Sequence, residues 1–360
     1  MVKNKKGNQT LVFANRPRIL SAAAVVGTKE GGGPLGSWFD TILEDDTFGE
    51  KTWEKSESKM LKTAMMEAMQ KAGKNKEDIG AILSGDLLNQ LMSSSFMARD
   101  LHIPFLGLYG ACSTMTESLM LGAVLTDGKY SDNVIIGASS HYCTAERQFR
   151  MPLEHGNQRP PSAQWTATAA GAMVLSCGSE KEASLIADEE GNTRQAKEVQ
   201  VTFGTIGKVI DAGIKDANQM GAAMAPAAVD TLLNHLQDTG RSLRDYDLIL
   251  TGDLGYIGKD IAKDLLQDAG IPKKEIEDRY DDCGAMIFEK EQDVHGGGSG
   301  CGCSASVFAG YLYKRMQQGE LNRVLIMSTG ALLSTISPFQ GESIPGIAHG
   351  ISLEIGEVHQ

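Results

Sequence analysis

No apolar run in this 360-residue chain approaches the roughly 20 residues that a membrane-spanning helix needs. The opening "MVKNKKGNQT" is basic but is followed by no apolar h-region, so no signal peptide is expected. Lys3, Lys5 and Lys6 read as a solvated tail rather than a membrane patch. No dense Lys/Arg stripe occurs and the net charge is −12, which argues against a nucleic-acid partner. The six cysteines lack the spacing of a secreted disulfide framework. Prolines are few, ten against 41 glycines, which points to close backbone approaches rather than stiff linkers. What is present, at 41% hydrophobic residues and without low-complexity tracts, is a globular protein with a substantial core.

That core is built twice. "GKNKEDIGAILSGDL" (73–87) and "GRSLRDYDLILTGDL" (240–254) align without a gap at an offset of 167. Before each, apolar residues recur at i, i+3, i+4 and i+7: Leu61, Ala64, Met65, Ala68, then Val229, Leu232, Leu233, Leu236. Gly73 and Gly240 fall where a terminating glycine would end each helix, and Pro226 suits the start of the second. The second part of each unit repeats as well. Cys112-Ser113 stands 16 residues before Gly128, and Cys303-Ser304 stands 16 before Gly319. Helices alternating with continuous apolar strands predict parallel sheets covered on both faces. The halves divide as 1–178 and 179–360, with "HYCTAERQFRMPLEHGNQRPPSAQW" (141–165) as a long irregular excursion in the first.

Chemistry centres on "LYGACSTMTESLMLGAV" (108–124). A strand ("PFLGLY"), a turn through Gly110 and Ala111, and a helix start place Cys112 beside helix N-terminal amides, which favour an anion. That anion is either a thiolate or a bound carboxylate. Catalysis needs a base. His141 and Ser140 close the strand "NVIIGASS", and His295 opens "HGGGSGCGCSAS". His102, His155, His235, His349 and His359 have no such placement. Cys283, His295, Cys301 and Cys303 have poor zinc spacing, and the glycine loop lacks the G-K-[ST] ending of a phosphate loop. Its glycines read instead as permitting close packing of a helix start on the opposite half. Asp86 and Asp253, in S/T-G-D-L, read equally as helix caps or as hard oxygen ligands for calcium.

With these segments in hand, the chain resembles the thiolase superfamily, in its ketoacyl-acyl-carrier-protein synthase III branch. "GACSTMTESLMLGAVLTDGKYSDNVIIGAS" matches the nucleophile segment, "ATAAGAMVLS" the G-D-G-A-G-A strand, "HGGGSGCGCSAS" the loop H-G-N-T-S-A-A-S, and "GIAHGISLEI" the closing strand. The resemblance implies two duplicated α/β halves packed as a five-layered α-β-α-β-α unit. It also implies a homodimer joined through the strand before Cys112. The departures decide more. Where the family has P-H-x-x-N this chain reads Thr251-Gly252-Asp253-Leu254-Gly255, and the asparagine of G-N-T falls among Gly296, Gly297 and Gly298. The nucleophile position is vestigial and both partners are gone, so no catalytic residue is assigned.

More closely, "RILSAAAVVGTKEGGGPLG", "GDLLNQLMSSSFMARDL" and "LYGACSTMTESLMLGA" resemble the stage V sporulation branch, known from spore-forming Firmicutes. That likeness implies non-catalytic binding of dipicolinic acid, or its calcium chelate, for uptake into the developing spore. It implies a peripheral place at the spore inner membrane beside membrane proteins of the same operon. No resident cofactor or metal is expected. The binding residues assigned on this reading are Asp86, Gly110, Ala111, Cys112, Ser140, His141, His295, Ser328 and Thr329. The alternative is an active acyltransferase or condensing enzyme using Cys112 with His141 or His295. A third reading is a structural scaffold for a membrane complex.

Overall fold

A computed structural model describes residues 4–149, 159–177, 185–187 and 193–356. Lys3, His155, His359 and the boundary at 178 lie outside the described residues. The first half contains β1 (Arg18–Val26), α1 (Trp53–Lys71), β2 (Ala81–Gly85), α2 (Met92–Leu101), β3 (Phe105–Gly107), α3 (Thr114–Asp127), β4 (Asn133–Ser140), α4 (Tyr142–Phe149) and β5 (Ala169–Ser176). The second contains β6 (Val199–Thr205), α5 (Met220–Thr239), β7 (Leu248–Thr251), α6 (Gly255–Asp268), β8 (Tyr280–Asp282), α7 (Cys301–Ser306), β9 (Arg323–Ala331) and β10 (Gly346–Ile355). After α7 the helix loosens into a π-helical stretch, Val307–Leu312, before closing as Tyr313–Gln317.

The duplication is visible in strand order. The first sheet runs β1-β5-β4-β2-β3 and the second β6-β10-β9-β7-β8, joined where β1 pairs with β6. In each, the pairings with the second strand in the order are antiparallel and the remaining ones parallel. The expected wholly parallel sheets are therefore mixed. The returning strands β5 and β10 carry the same continuous apolar signal as a parallel strand, because both faces are covered.

Alternation along a strand shows that cover. In β4, Val134, Ile136 and Ala138 face the central core, while Ile135 faces α1. In β9, Val324 and Ile326 join the same central core and Leu325 and Met327 pack under α5. Met115, Leu119 and Ala123 of α3, with Ala305 of α7 and Phe308 and Leu312 beyond it, fill the layer between the sheets. The five layers are thus present. Leu61, Ala64, Met65 and Ala68 are fully buried, and Gly73 and Gly240 take the left-handed conformation that ends α1 and α5.

Two local expectations fail. Pro226 lies inside α5, which begins six residues earlier at Met220. The excursion 141–165 is not irregular at its start: residues 142–149 form α4, and Trp165–Thr166 pairs with Gly298–Ser299 of the glycine loop.

Candidate functional site

Cys112 sits at the junction of the two halves. The chain leaves the edge strand β3, turns at Gly110 and Ala111, and enters α3. Ala111 has a φ of 49°, a left-handed conformation that costs a residue with a Cβ about 1–2 kcal/mol. The turn is held by its own bonds: Ser113 N–H and Oγ–H donate to the Gly110 carbonyl, and Thr114 Oγ–H donates to that of Ala111. The Ser113 and Thr114 amides are therefore engaged within the turn, not directed at a ligand, as the sequence had suggested. Gly330 of β9 allows the second half to close on this turn, since a Cβ there would stand 2.4 Å from the Gly110 oxygen.

The partner of Cys112 is Asp253. Its carboxylate accepts hydrogen bonds from Thr329 Oγ1 at 2.5 Å and from the Gly300 amide at 3.0 Å, and it stands beside the Cys112 thiol. Burial raises its pKa to about 6. For Cys112, burial first and then this carboxylate push the thiol well above its ordinary value, with only the Gly300 N–H opposing. Once ionised, that carboxylate opposes a thiolate by like charge, which adds to the cost of burial and keeps the thiol protonated. The next acid, Asp282, is raised to about 7 by burial and receives the Leu254 and Gly255 amides at the start of α6. Nothing in its local sequence, "YDDC", signalled that role.

The assigned residues divide sharply. Ala111 and Cys112 line a narrow cavity with about 40 Å³ open to the centres of water molecules. Gly110 shapes its turn, and Thr329 reaches it only through Asp253. Ser140 donates to the Ala167 carbonyl and accepts the Gly302 amide. His141 is a satisfied core histidine. Its Nε2 meets the Asp46 carbonyl at 2.8 Å, its Nδ1 accepts the Cys143 amide, and burial lowers its pKa. His295 lies at an outer edge between Asp293 and the Pro160 carbonyl. Ser328 bonds to Ser304. Asp86 receives the Leu88 and Ser94 amides, the capping alternative, while its repeat partner Asp253 has diverged to meet the thiol. Among the described residues no three His, Cys, Asp or Glu side chains converge to hold a metal ion.

From the glycine loop it is Ser299 that lines the cavity, with the Gly300 amide bonded to Asp253 behind it, and not His295. A Cβ on Gly302 would stand 2.2 Å from the Ala169 oxygen, so that glycine does pack α7 against the opposite half. The residues that sequence reading missed are the walls: Leu87, Tyr109, Phe149, Met220 and Leu333, with the hydroxyls of Thr166 and Ser299 and the carboxyl of Glu146. Among the described residues the lining carries no Lys, Arg or His. Burial pushes Tyr109 up to about 12, so its hydroxyl stays protonated.

A family model described as stage V sporulation protein AD matches residues 7–354. The stage V sporulation protein AD of Bacillus subtilis (strain 168) is 43% identical over 348 residues, covering 97% of each chain. Among solved structures, 3-oxoacyl-acyl-carrier-protein synthase III of Aquifex aeolicus VF5 superposes with a TM-score of 0.53 at 14% identity, over 94% of this chain and 99% of that one. A variant of Xanthomonas campestris OleA gives 0.60 at 12% identity, over 95% and 99%. Identities this low speak for the fold alone. With the curated relative matched end to end, this chain belongs to the stage V sporulation protein AD family, sporulation proteins on a thiolase-like fold.

Proposed function

We propose that this protein binds dipicolinic acid in the Cys112 cavity, without acyl-transfer chemistry, as a step in its uptake into the developing spore. The observation that carries the non-catalytic part is Asp253 against the Cys112 thiol. A condensing site must ionise the nucleophile and stabilise an oxyanion, and a single missing donor costs ~10²–10³ in rate. Here a carboxylate stands beside the thiol, and its negative charge disfavours both the thiolate and a developing oxyanion.

The dipicolinate part rests on the family and on the chemistry of the lining. Leu87, Tyr109 and Phe149 offer apolar walls to a flat ring, and Thr166 and Ser299 offer hydroxyls to its carboxyls. With Glu146 in the wall and Asp253 behind the thiol, the bare dianion is the least favoured form. The protonated acid or the neutral calcium chelate suits such a lining better. Any calcium arrives with the ligand on this reading. The homodimer and the docking on membrane proteins of the spore inner membrane belong to the same proposal. Support for the dimer is the position of β3 at the sheet edge, with Leu106 and Tyr109 half exposed. Among the described residues no helix is long and apolar enough to cross a membrane, so attachment would be peripheral.

Titration calorimetry with dipicolinate, with and without calcium, tests the proposal. Saturable binding that strengthens with calcium or at lower pH supports it. No heat under any condition, or release of coenzyme A from acyl thioesters that Cys112→Ala abolishes, refutes it.

A further inference from the structure

On the outer face of the first half, α1 and α2 frame a groove of about 560 Å³ that the Cys112 cavity does not touch. Lys55, Lys59, Lys62 and Met66 stand at i, i+4, i+7 and i+11 of α1, one stripe of the helix, and all four line the groove. Arg99 and Phe96 of α2 face them. Four cations thus meet only two acids, Glu50 and Asp100, in a chain whose net charge is −12. Lys59 pairs with Glu50, while Lys62 and Arg99 share Asp100. Lys55 is exposed, and Met66 is 48% exposed. A local excess of positive charge against an acidic whole is a selective field for an acidic partner.

We infer that this groove docks an acidic amphipathic segment of a protein partner. The cations from Lys55 to Lys62 are spread over ~10 Å along the helix, which fits a run of carboxylates rather than one small anion. A bilayer fits less well, because the surface is concave and its rings are capped by cations: Lys59 lies over Phe48 and Arg99 over Phe96. Met66 is the exposed apolar contact, so the segment should carry carboxylates on one stripe and a single apolar side chain beyond them. Lying on α1 and α2, the groove leaves the ligand cavity free while the partner is held.

The test uses the full chain and a labelled helical peptide with glutamates at i, i+4 and i+7 and a leucine at i+11, followed by fluorescence anisotropy. Binding is expected. It should weaken at least ~10-fold in the double variant Lys55→Glu, Arg99→Glu, and ~10-fold on raising salt from ~50 to ~500 mM. Both positions are exposed, so an unchanged melting curve and unchanged dipicolinate titration show that the variant is folded. The docking assignment is overturned if the peptide does not bind the wild type, or binds the folded variant equally well. It is also overturned if phosphatidylglycerol vesicles, and not the peptide, lose affinity in the variant.

Discussion

Replacing Asp253 by asparagine should make Cys112 reactive. The carboxylate stands beside the thiol, and both groups are buried. Two unit charges ~4 Å apart interact by ~1 kcal/mol in bulk water and ~4 kcal/mol at the effective dielectric of a protein. Removing the acid therefore stabilises the thiolate by ~1–4 kcal/mol, or ~5- to 900-fold in its population. The thiol stays above its ordinary pKa because desolvation, the larger cause, remains. The amide of the replacement would keep an oxygen for the Thr329 hydroxyl, so the fold should persist. The assay is iodoacetamide alkylation at about pH 8, well above the Asp253 pKa of about 6, with peptide mapping to separate Cys112 from the half-exposed Cys143 and Cys177. A rise of about fivefold or more at Cys112 is expected. If a folded Asp253→Asn protein alkylates there at the wild-type rate, the charge on Asp253 does not hold the thiol and this account of Cys112 fails.

Ala111→Phe should abolish dipicolinate binding by filling the cavity while calorimetry still shows a cooperative melt; wild-type affinity in the folded variant would place the ligand elsewhere. Cys112→Ala should bind within about tenfold of wild type, since only a neutral thiol is lost. Stability should fall as pH rises from about 6.5 to 8.5. Burial raises Glu30 and Glu57 to about 8, so the native state holds protons there that the unfolded chain has released, and that contribution is lost as pH passes the folded values. The slope is roughly 1–2 kcal/mol per pH unit, read from urea midpoints, and Glu30→Gln should flatten it; a midpoint that rises with pH contradicts it. Gly302→Ala should cost more than about 2 kcal/mol, because its Cβ would meet the Ala169 oxygen at 2.2 Å and push the halves apart. Light scattering should show a dimer that Leu106→Lys dissociates; a monomeric wild type would remove the edge-strand interface.

The repeat at offset 167 and the four apolar positions before each copy contain the architecture: two α/β halves, with helices covering buried strands. Periodicity reports how many faces are covered, which is why helix positions such as Leu61 and Val229 were legible. It does not report strand direction. β5 and β10, buried on both faces, read as parallel strands and run antiparallel. The turn at Cys112 was legible too, because a small-residue turn between an apolar strand and a helix is a local pattern. Its surroundings were not. His141 looked functional at a strand end, yet Asp46 and Cys143, far apart in the chain, take both ring nitrogens. Asp86 and Asp253 stand in the same short motif, and only the packing of the halves makes one a cap and the other the neighbour of the thiol. A residue's type and local spacing are properties of the sequence, whereas the charge it faces is set by segments that meet across the fold.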